Sequence, residues 1–280
     1  EEKGSLFAHL GRHEAATVIG NGDDPRVTAL VGRCEAPQKL LYGNHPDHDY
    51  CIADRRLDAH DQSTLTLKRP DGSAVQLRVP VIGQAGALAS AAALAAVEAL
   101  THEPCRATEI RYAASAGDLD GRLRSERLPG GLIVIDDSYN SNPASGHASL
   151  LAAAEVRAFH GGRLLVVLGE MRELGEVSGA AHAILGQQAA AQGADLVIGV
   201  SGDARHTADA AAALGVDARF VDDAELAAQA VLEVVRDGDV VLVKGSRSIR
   251  TERVAEALRA RRVSSGGGPS TEAKCAGRAG

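Results

Sequence analysis

Residues 132–137 read LIVIDD, an apolar run that breaks into Asp136-Asp137-Ser138-Tyr139-Asn140-Ser141-Asn142-Pro143. A turn needs one or two polar side chains, so carboxylates, hydroxyls, a phenol and amides in one short loop point towards a ligand. Carboxylates suit magnesium or ribose hydroxyls, while amides and hydroxyls suit phosphate oxygens. The plainer reading is that Asp137 and Asn142 only cap and tie the loop. Asn142-Pro143 is itself a helix start, an N-cap amide followed by proline at the first helical position. Two more polar stretches follow apolar runs in the same way: Gly169-Glu170-Met171-Arg172-Glu173 after LLVVL, and Lys244-Gly245-Ser246-Arg247 after VVLV.

Such loops need a scaffold that brings them together. From Leu132 onward the apolar runs LIVID, LLVVLG, DLVIGV, RFV and VVLVKG alternate with Ala-rich stretches of helical spacing. Continuous apolar strands are buried on both faces, and helices between them imply parallel pairing with right-handed crossovers. The expected fold is α/β, with a doubly wound, Rossmann-like parallel sheet in the carboxy-terminal part. Ligands of such sheets bind beyond the carboxyl ends of the strands, which is where all three polar loops fall. Asp222 with Glu225 reads as a capping box, and Gly193, Gly215 and Gly238 fall just past helix ends. Upstream, short alternating strands with RPDGS as a hairpin turn precede the Ala-rich helix GALASAAALAAVEAL. That region reads as the end of a separate α/β domain. The expected division is 1–126, 127–263, and a Gly/Ser/Pro-rich disordered tail at 264–280.

The 280 residues allow two domains with sizeable cores. A formal charge of −7 argues against broad nucleic-acid binding, and 2% aromatics without tryptophan makes base-stacking platforms a poor expectation. The 4 cysteines lie far apart with no CxxC, as in a reducing cytoplasm. No apolar span near the length of a membrane helix is expected, and no secretory leader. The expectation is a cytoplasmic monomer with no membrane or nucleic-acid partner.

The stretches GDLDGRLRSERLPGGLIVIDDSYNSNP, LGEMRELGEVSGAAH and LVKGSRSIRTERV together resemble the carboxy-terminal part of the Mur ligase family. KGSLF followed by VIGNGDDP resembles an earlier motif of the same family, so the likeness covers nearly everything before the tail. D-S-Y-N-x-N-P with L-G-E-M-x-E-L-G at this spacing is a specific signal. The resemblance implies a partial central ATP-binding domain followed by the Rossmann-like domain. It implies an ATP- and Mg2+-dependent ligase joining a carboxylate to an amine through an acyl phosphate. The spelling of the motifs is nearest the branch that adds D-alanyl-D-alanine to UDP-N-acetylmuramoyl-tripeptide in peptidoglycan precursor synthesis.

The same resemblance implies residue roles. Lys3 aligns with a lysine that is carbamylated and then binds magnesium. Arg122 matches an arginine that reaches nucleotide phosphates, and Asp137, Tyr139, Asn140 and Asn142 match the loop closing over ATP. Asn21 and Asp24 match a turn of mainly structural use, Asn21 being kept among the nucleotide-binding candidates. Lys244, Ser246 and Arg247 are implied substrate ligands, with Glu170, Glu173 and His182 as further candidates. For His182, loop anchoring is as good a reading as substrate contact.

Two departures stand against the pattern. The sequence contains no G-x-x-x-x-G-K-[ST], so the backbone nest for ATP phosphates is missing, as expected of a chain cut from a longer one. Ala85 and Ala89 stand where the family has His and Asn. Taken alone, the 280 residues are expected not to ligate. Two alternatives stay open: a degenerate, non-enzymatic binding partner, and a divergent paralogue that ligates another amine.

Overall fold

The computed structural model describes residues 5, 15–105 and 121–261. Lys3 and the expected tail at 264–280 lie outside the described residues.

The first sheet has the order β1 (Thr17–Asn21), β2 (Gln38–Gly43), β3 (Tyr50–Leu57), β4 (Ser63–Lys68) and β5 (Ala74–Val79). Its first three strands are parallel and the rest antiparallel, with the RPDGS turn closing the β4–β5 hairpin as expected. α1 (Pro25–Arg33) follows β1 and is capped by Asp24, whose side chain accepts from the Arg26 amide. α2 (Gly83–Thr101) lays Ala87, Ala91, Leu94 and Ala95 on Leu65, Leu67 and Val79 of the sheet. By length and composition α2 could cross a membrane, contrary to the expectation that no segment could. Here it is the core helix of the first unit, and its Glu98 is buried against Arg69 at 2.9 Å.

The second sheet comprises β6 (Arg124–Arg127), β7 (Ile133–Asp137), β8 (Leu164–Gly169), β9 (Leu196–Val200), β10 (Asp217–Val221) and β11 (Val240–Lys244). Their spatial order is β10-β9-β8-β11-β7-β6. All pairings are parallel except β6 with β7. Helices α3 (Pro143–His160), α4 (Ser178–Ala191), α5 (Ala204–Ala213), α6 (Ala224–Val234) and α7 (Glu252–Ala260) cover its two faces, one over Ile135, Val166 and Leu242, the other over Val134, Val167 and Val243. This is the doubly wound sheet that the continuous apolar runs require.

Two local expectations change. A cut at 126/127 would pass through β6, which hydrogen-bonds to β7 along Arg124–Arg127 and so belongs to the second sheet. The cap of α6 is Asp223, not Asp222: the helix starts at Ala224, and Asp223 accepts from the Leu226 amide. Glu225 pairs instead with Arg253.

The two units touch through specific contacts. Ile82 joins the core of the second sheet. Gly83 lies so close to α3 that a Cβ there would stand 2.6 Å from the Ala152 Cβ. Arg55 grips both oxygens of Glu155 at 2.7 and 2.8 Å. Buried Asp61 takes His160 at 2.6 Å and the Ser125 hydroxyl at 3.0 Å. Cys34 and Cys51 are buried and Cys105 is half-buried.

Candidate functional site

β8, β11 and β7 are consecutive neighbours, although β11 comes last in the chain. Their carboxyl ends therefore deliver residues 138–142, 170–174 and 245–248 side by side on one rim. The three polar loops read from the sequence are one site.

The loops approach closely because two strands end in glycine or pass into it. A Cβ on Gly169 would lie 3.1 Å from the Gly245 Cα, so the backbones pass at a distance that a side chain would prevent. Hydrogen bonds lace them further: the Arg172 amide donates to Ser246 Oγ at 3.0 Å, and the Ser246 amide to the Glu170 carbonyl at 3.3 Å.

The two aspartates at the end of β7 are tie points. Asp137 Oδ2 accepts from Lys244 Nζ at 2.6 Å and from Ser149 Oγ at 2.5 Å, while Oδ1 accepts from the Leu123 amide at 3.1 Å. Lys244 also donates to the Asn140 carbonyl at 2.9 Å and is 1% exposed. Asp136 accepts from the Ser138 hydroxyl at 2.6 Å and from Arg259 of α7 at 3.0 Å; Arg259 also holds Glu126 at 2.8 Å. An acid without these donors would be costly to bury as an anion.

What the loops leave exposed is different. Tyr139 is 45% exposed, with the Arg122 guanidinium 4.2 Å from its ring centre and that of Arg247 5.7 Å away. An open cleft of about 470 Å³ lies between Asn140, Ser141, Asn142, Arg172, Glu173, Ser246 and Arg247. Arg172 is paired with Glu170 at 2.9 Å. Among the described residues neither Arg247 nor Glu173 has an ion-pair partner, so the cleft keeps one unanswered charge of each sign.

The structure sorts the sequence candidates. Tyr139, Asn140, Glu173 and Arg247 are exposed on the rim, and Arg122 stands beside Tyr139. Lys244 lies beneath the loop as the partner of Asp137 and is not among the residues lining the cleft. Asn142 lines the cleft but spends its side chain as the α3 cap, in a reciprocal box with Ser145 at 2.9 and 3.1 Å. Ser246 laces two loops, and Glu170 holds Arg172. His182 is fully buried: its Nε2 accepts from the Met171 amide at 2.9 Å, so Nδ1 carries the proton and donates to the Ser178 carbonyl at 2.8 Å. It anchors the loop. Asn21 belongs to the other sheet, where its side chain accepts from the Asp23 amide at 3.0 Å. Ala85 and Ala89 are exposed on α2, and Gln84 donates to Asn44 at 2.6 Å. Among the described residues no cluster of three His, Cys, Asp or Glu could hold a metal ion.

Sequence reasoning missed Asp136, Ser149 and Arg259 as the supports of the loop. A serine inside an Ala-rich helix, twelve residues after an aspartate, was the one local hint for Ser149. Arg259 gave none.

The family described as "Mur ligase, glutamate ligase domain" matches residues 121–247. UDP-N-acetylmuramoyl-tripeptide–D-alanyl-D-alanine ligase of Escherichia coli (strain K12) is 34% identical over 261 residues, 91% of this chain and 54% of the relative. The ligase of the same description from Mycobacterium leprae (strain TN) is 30% identical over 88% of this chain and 52% of its own length. The chain thus spans about half the length of the curated relatives it matches. The MurF ligase of Thermotoga maritima in complex with ADP superposes with a TM-score of 0.71 at 25% identity, covering 88% of this chain and 54% of that one.

Proposed function

We propose that the chain, whose residues 121–247 match the Mur ligase family, serves an ATP-dependent carboxylate–amine ligase joining D-alanyl-D-alanine to UDP-N-acetylmuramoyl-tripeptide. The reaction places it in peptidoglycan precursor synthesis in the cytoplasm. A carboxylate resists attack by an amine because its charge repels the lone pair. Transfer of the ATP γ-phosphoryl group gives an acyl phosphate. The dipeptide amine then adds to the carbonyl and expels phosphate, losing a proton as the amide forms.

The observation that carries this reading is the pair of unanswered charges in the rim cleft. Glu173 suits an ammonium and Arg247 a carboxylate, the two ends of a zwitterionic dipeptide. Arg122, held against Tyr139, would meet nucleotide phosphates at the margin of the same rim. ATP use is supported by the ADP complex of the Thermotoga maritima neighbour. Mg2+ would accompany ATP and offset charge on its phosphates. The described residues form no metal cluster, and Lys3 stays a candidate outside them.

The test is phosphate release from ATP and Mg2+ with the tripeptide nucleotide, with and without D-alanyl-D-alanine. It is run on residues 1–280 alone and on the same residues fused behind the amino-terminal portion of the Escherichia coli relative. Dipeptide-dependent release by the fusion, lost in Arg247→Ala, supports the ligase. A folded fusion without release overturns it. Exposed Ala85 and Ala89, which offer no polar side chain to a nucleotide, favour a second reading as a binding partner. Under that reading the fusion binds D-alanyl-D-alanine but releases no phosphate.

A further inference from the structure

The turn between β3 and β4 is built to hold one carboxylate in an unusual place. Asp61 is 7% exposed and stands at φ +55, a left-handed conformation that most residues with a Cβ avoid. The bonds around it leave the turn no room to relax. Asp58 Oδ1 accepts from the His60 amide at 2.8 Å and from the Gln62 amide at 3.1 Å, while Arg78 Nε donates to Oδ2 at 3.0 Å. The Asp61 amide donates to the Asp58 carbonyl at 3.0 Å. So fixed, the Asp61 carboxylate reaches across to the second unit and meets two of its elements. Oδ2 accepts from the Ser125 hydroxyl of β6 at 3.0 Å, and Oδ1 lies 2.6 Å from Nε2 of His160, the last residue of α3. Arg127 stands 2.8 Å from Nδ1 of the same ring.

A second contact lies five residues back along α3, about 7.5 Å by helical rise. There Arg55 of β3 takes both oxygens of Glu155 at 2.7 and 2.8 Å, in the planar fork that fixes orientation as well as distance. Ile82 and Leu57 of the first unit pack against the core of the second sheet. Turning one unit against the other would uncover Ile82, split the fork and strip a buried carboxylate of its partners at once. A chain reversal alone needs neither a buried acid nor a left-handed aspartate, and such strain persists only where the surroundings impose it. We propose that the Asp58–Gln62 turn is a clasp which, with Arg55, locks the second unit on the first in one orientation. The two units then move as one body, whatever the rim of the second sheet binds.

The experiment is NMR of isotope-labelled residues 1–280, with amide residual dipolar couplings and nitrogen relaxation analysed separately for residues 15–105 and 121–261. In the wild type the two units are expected to share one alignment tensor and one rotational correlation time. In Arg55→Ala with Asp61→Ala the tensors should diverge and both correlation times shorten. The amide shifts of Leu65 in the first core and Val166 in the second should stay in place, showing that both units remain folded. Asp61→Asn with Glu155→Gln, which keeps shape and removes charge, should give a smaller divergence. Arg55→Glu with Glu155→Arg, which exchanges the charges across the same gap, should keep the common tensor. Separate tensors in the wild type overturn the clasp, and so does a common tensor in both charge-removing pairs. A charge exchange that behaves like the double alanine variant shows that the fork holds nothing, and the proposal falls.

Discussion

The Lys244 ammonium stands 2.6 Å from Asp137 Oδ2, and the register places the two residues side by side on neighbouring strands β11 and β7. Three donors meet on that one carboxylate: Lys244, Ser149 and the Leu123 amide. The pair fixes where the loop leaves the sheet.

Removing one partner would leave a buried charge without compensation, at a cost of about 3–5 kcal/mol. Lys244→Met is therefore expected to lose about that much stability in urea unfolding at pH 7, whether or not ligand is present. A Lys244→Met protein as stable as the wild type, but deficient in ligand binding, would return this lysine to the ligand-contacting role expected from the sequence.

His182 makes a sharper prediction because its two nitrogens have opposite duties. The Met171 amide can only donate and the Ser178 carbonyl can only accept. Long-range nitrogen–proton NMR at pH 7 should show the neutral ring with the proton on Nδ1. His182→Leu leaves an amide and a carbonyl without partners and should cost about 1–3 kcal/mol. A proton found on Nε2 would contradict the anchoring geometry.

Asp23 gives a pH dependence of known sign. Burial works against its ionised form, but the Asn44 amide and side chain and His48 donate to it and hold its carboxyl below the usual carboxylate range. With the folded value depressed, the unfolded chain takes up the proton first as pH falls. The stabilisation is therefore present above the ordinary carboxylate value of about 4 and is lost as pH drops through the lower folded value. The Tm advantage of wild type over Asp23→Asn should persist from pH 7 to about 5 and close below about 4. A gap that widens in acid would reverse the assigned sign.

The parts legible in sequence share one physical trait: they are written in neighbouring residues. LIVID, LLVVLG and VVLVKG announce strands buried on both faces, and a parallel sheet then places their polar ends on one rim. Asn142-Pro143 announces the start of α3 through local cap chemistry. What stayed hidden depends on pairing across the fold. Arg124–Arg127 has no apolar alternation and becomes a strand only by joining β7. Arg259 reaches Asp136 across 123 residues. The direction in which Lys244 points is set by its strand register, so a motif containing the residue could not distinguish a ligand contact from a buried post.

Tyr139 offers a last test, resting on the proposed nucleotide role of Arg122. Its ring lies 4.2 Å from the Arg122 guanidinium, and an exposed cation–π contact of this kind contributes about 0.5–1 kcal/mol. The ring faces the guanidinium irrespective of its hydroxyl, so Tyr139→Phe should keep Arg122 in place and Tyr139→Leu should free it. Converted to affinity, Tyr139→Leu is expected to weaken ADP binding about two- to fivefold, with Tyr139→Phe near wild type, in NMR titrations of residues 1–280. Equal losses in both variants would shift the role from the ring to the hydroxyl. Wild-type affinity in Tyr139→Leu would mean that Arg122 needs no aromatic support.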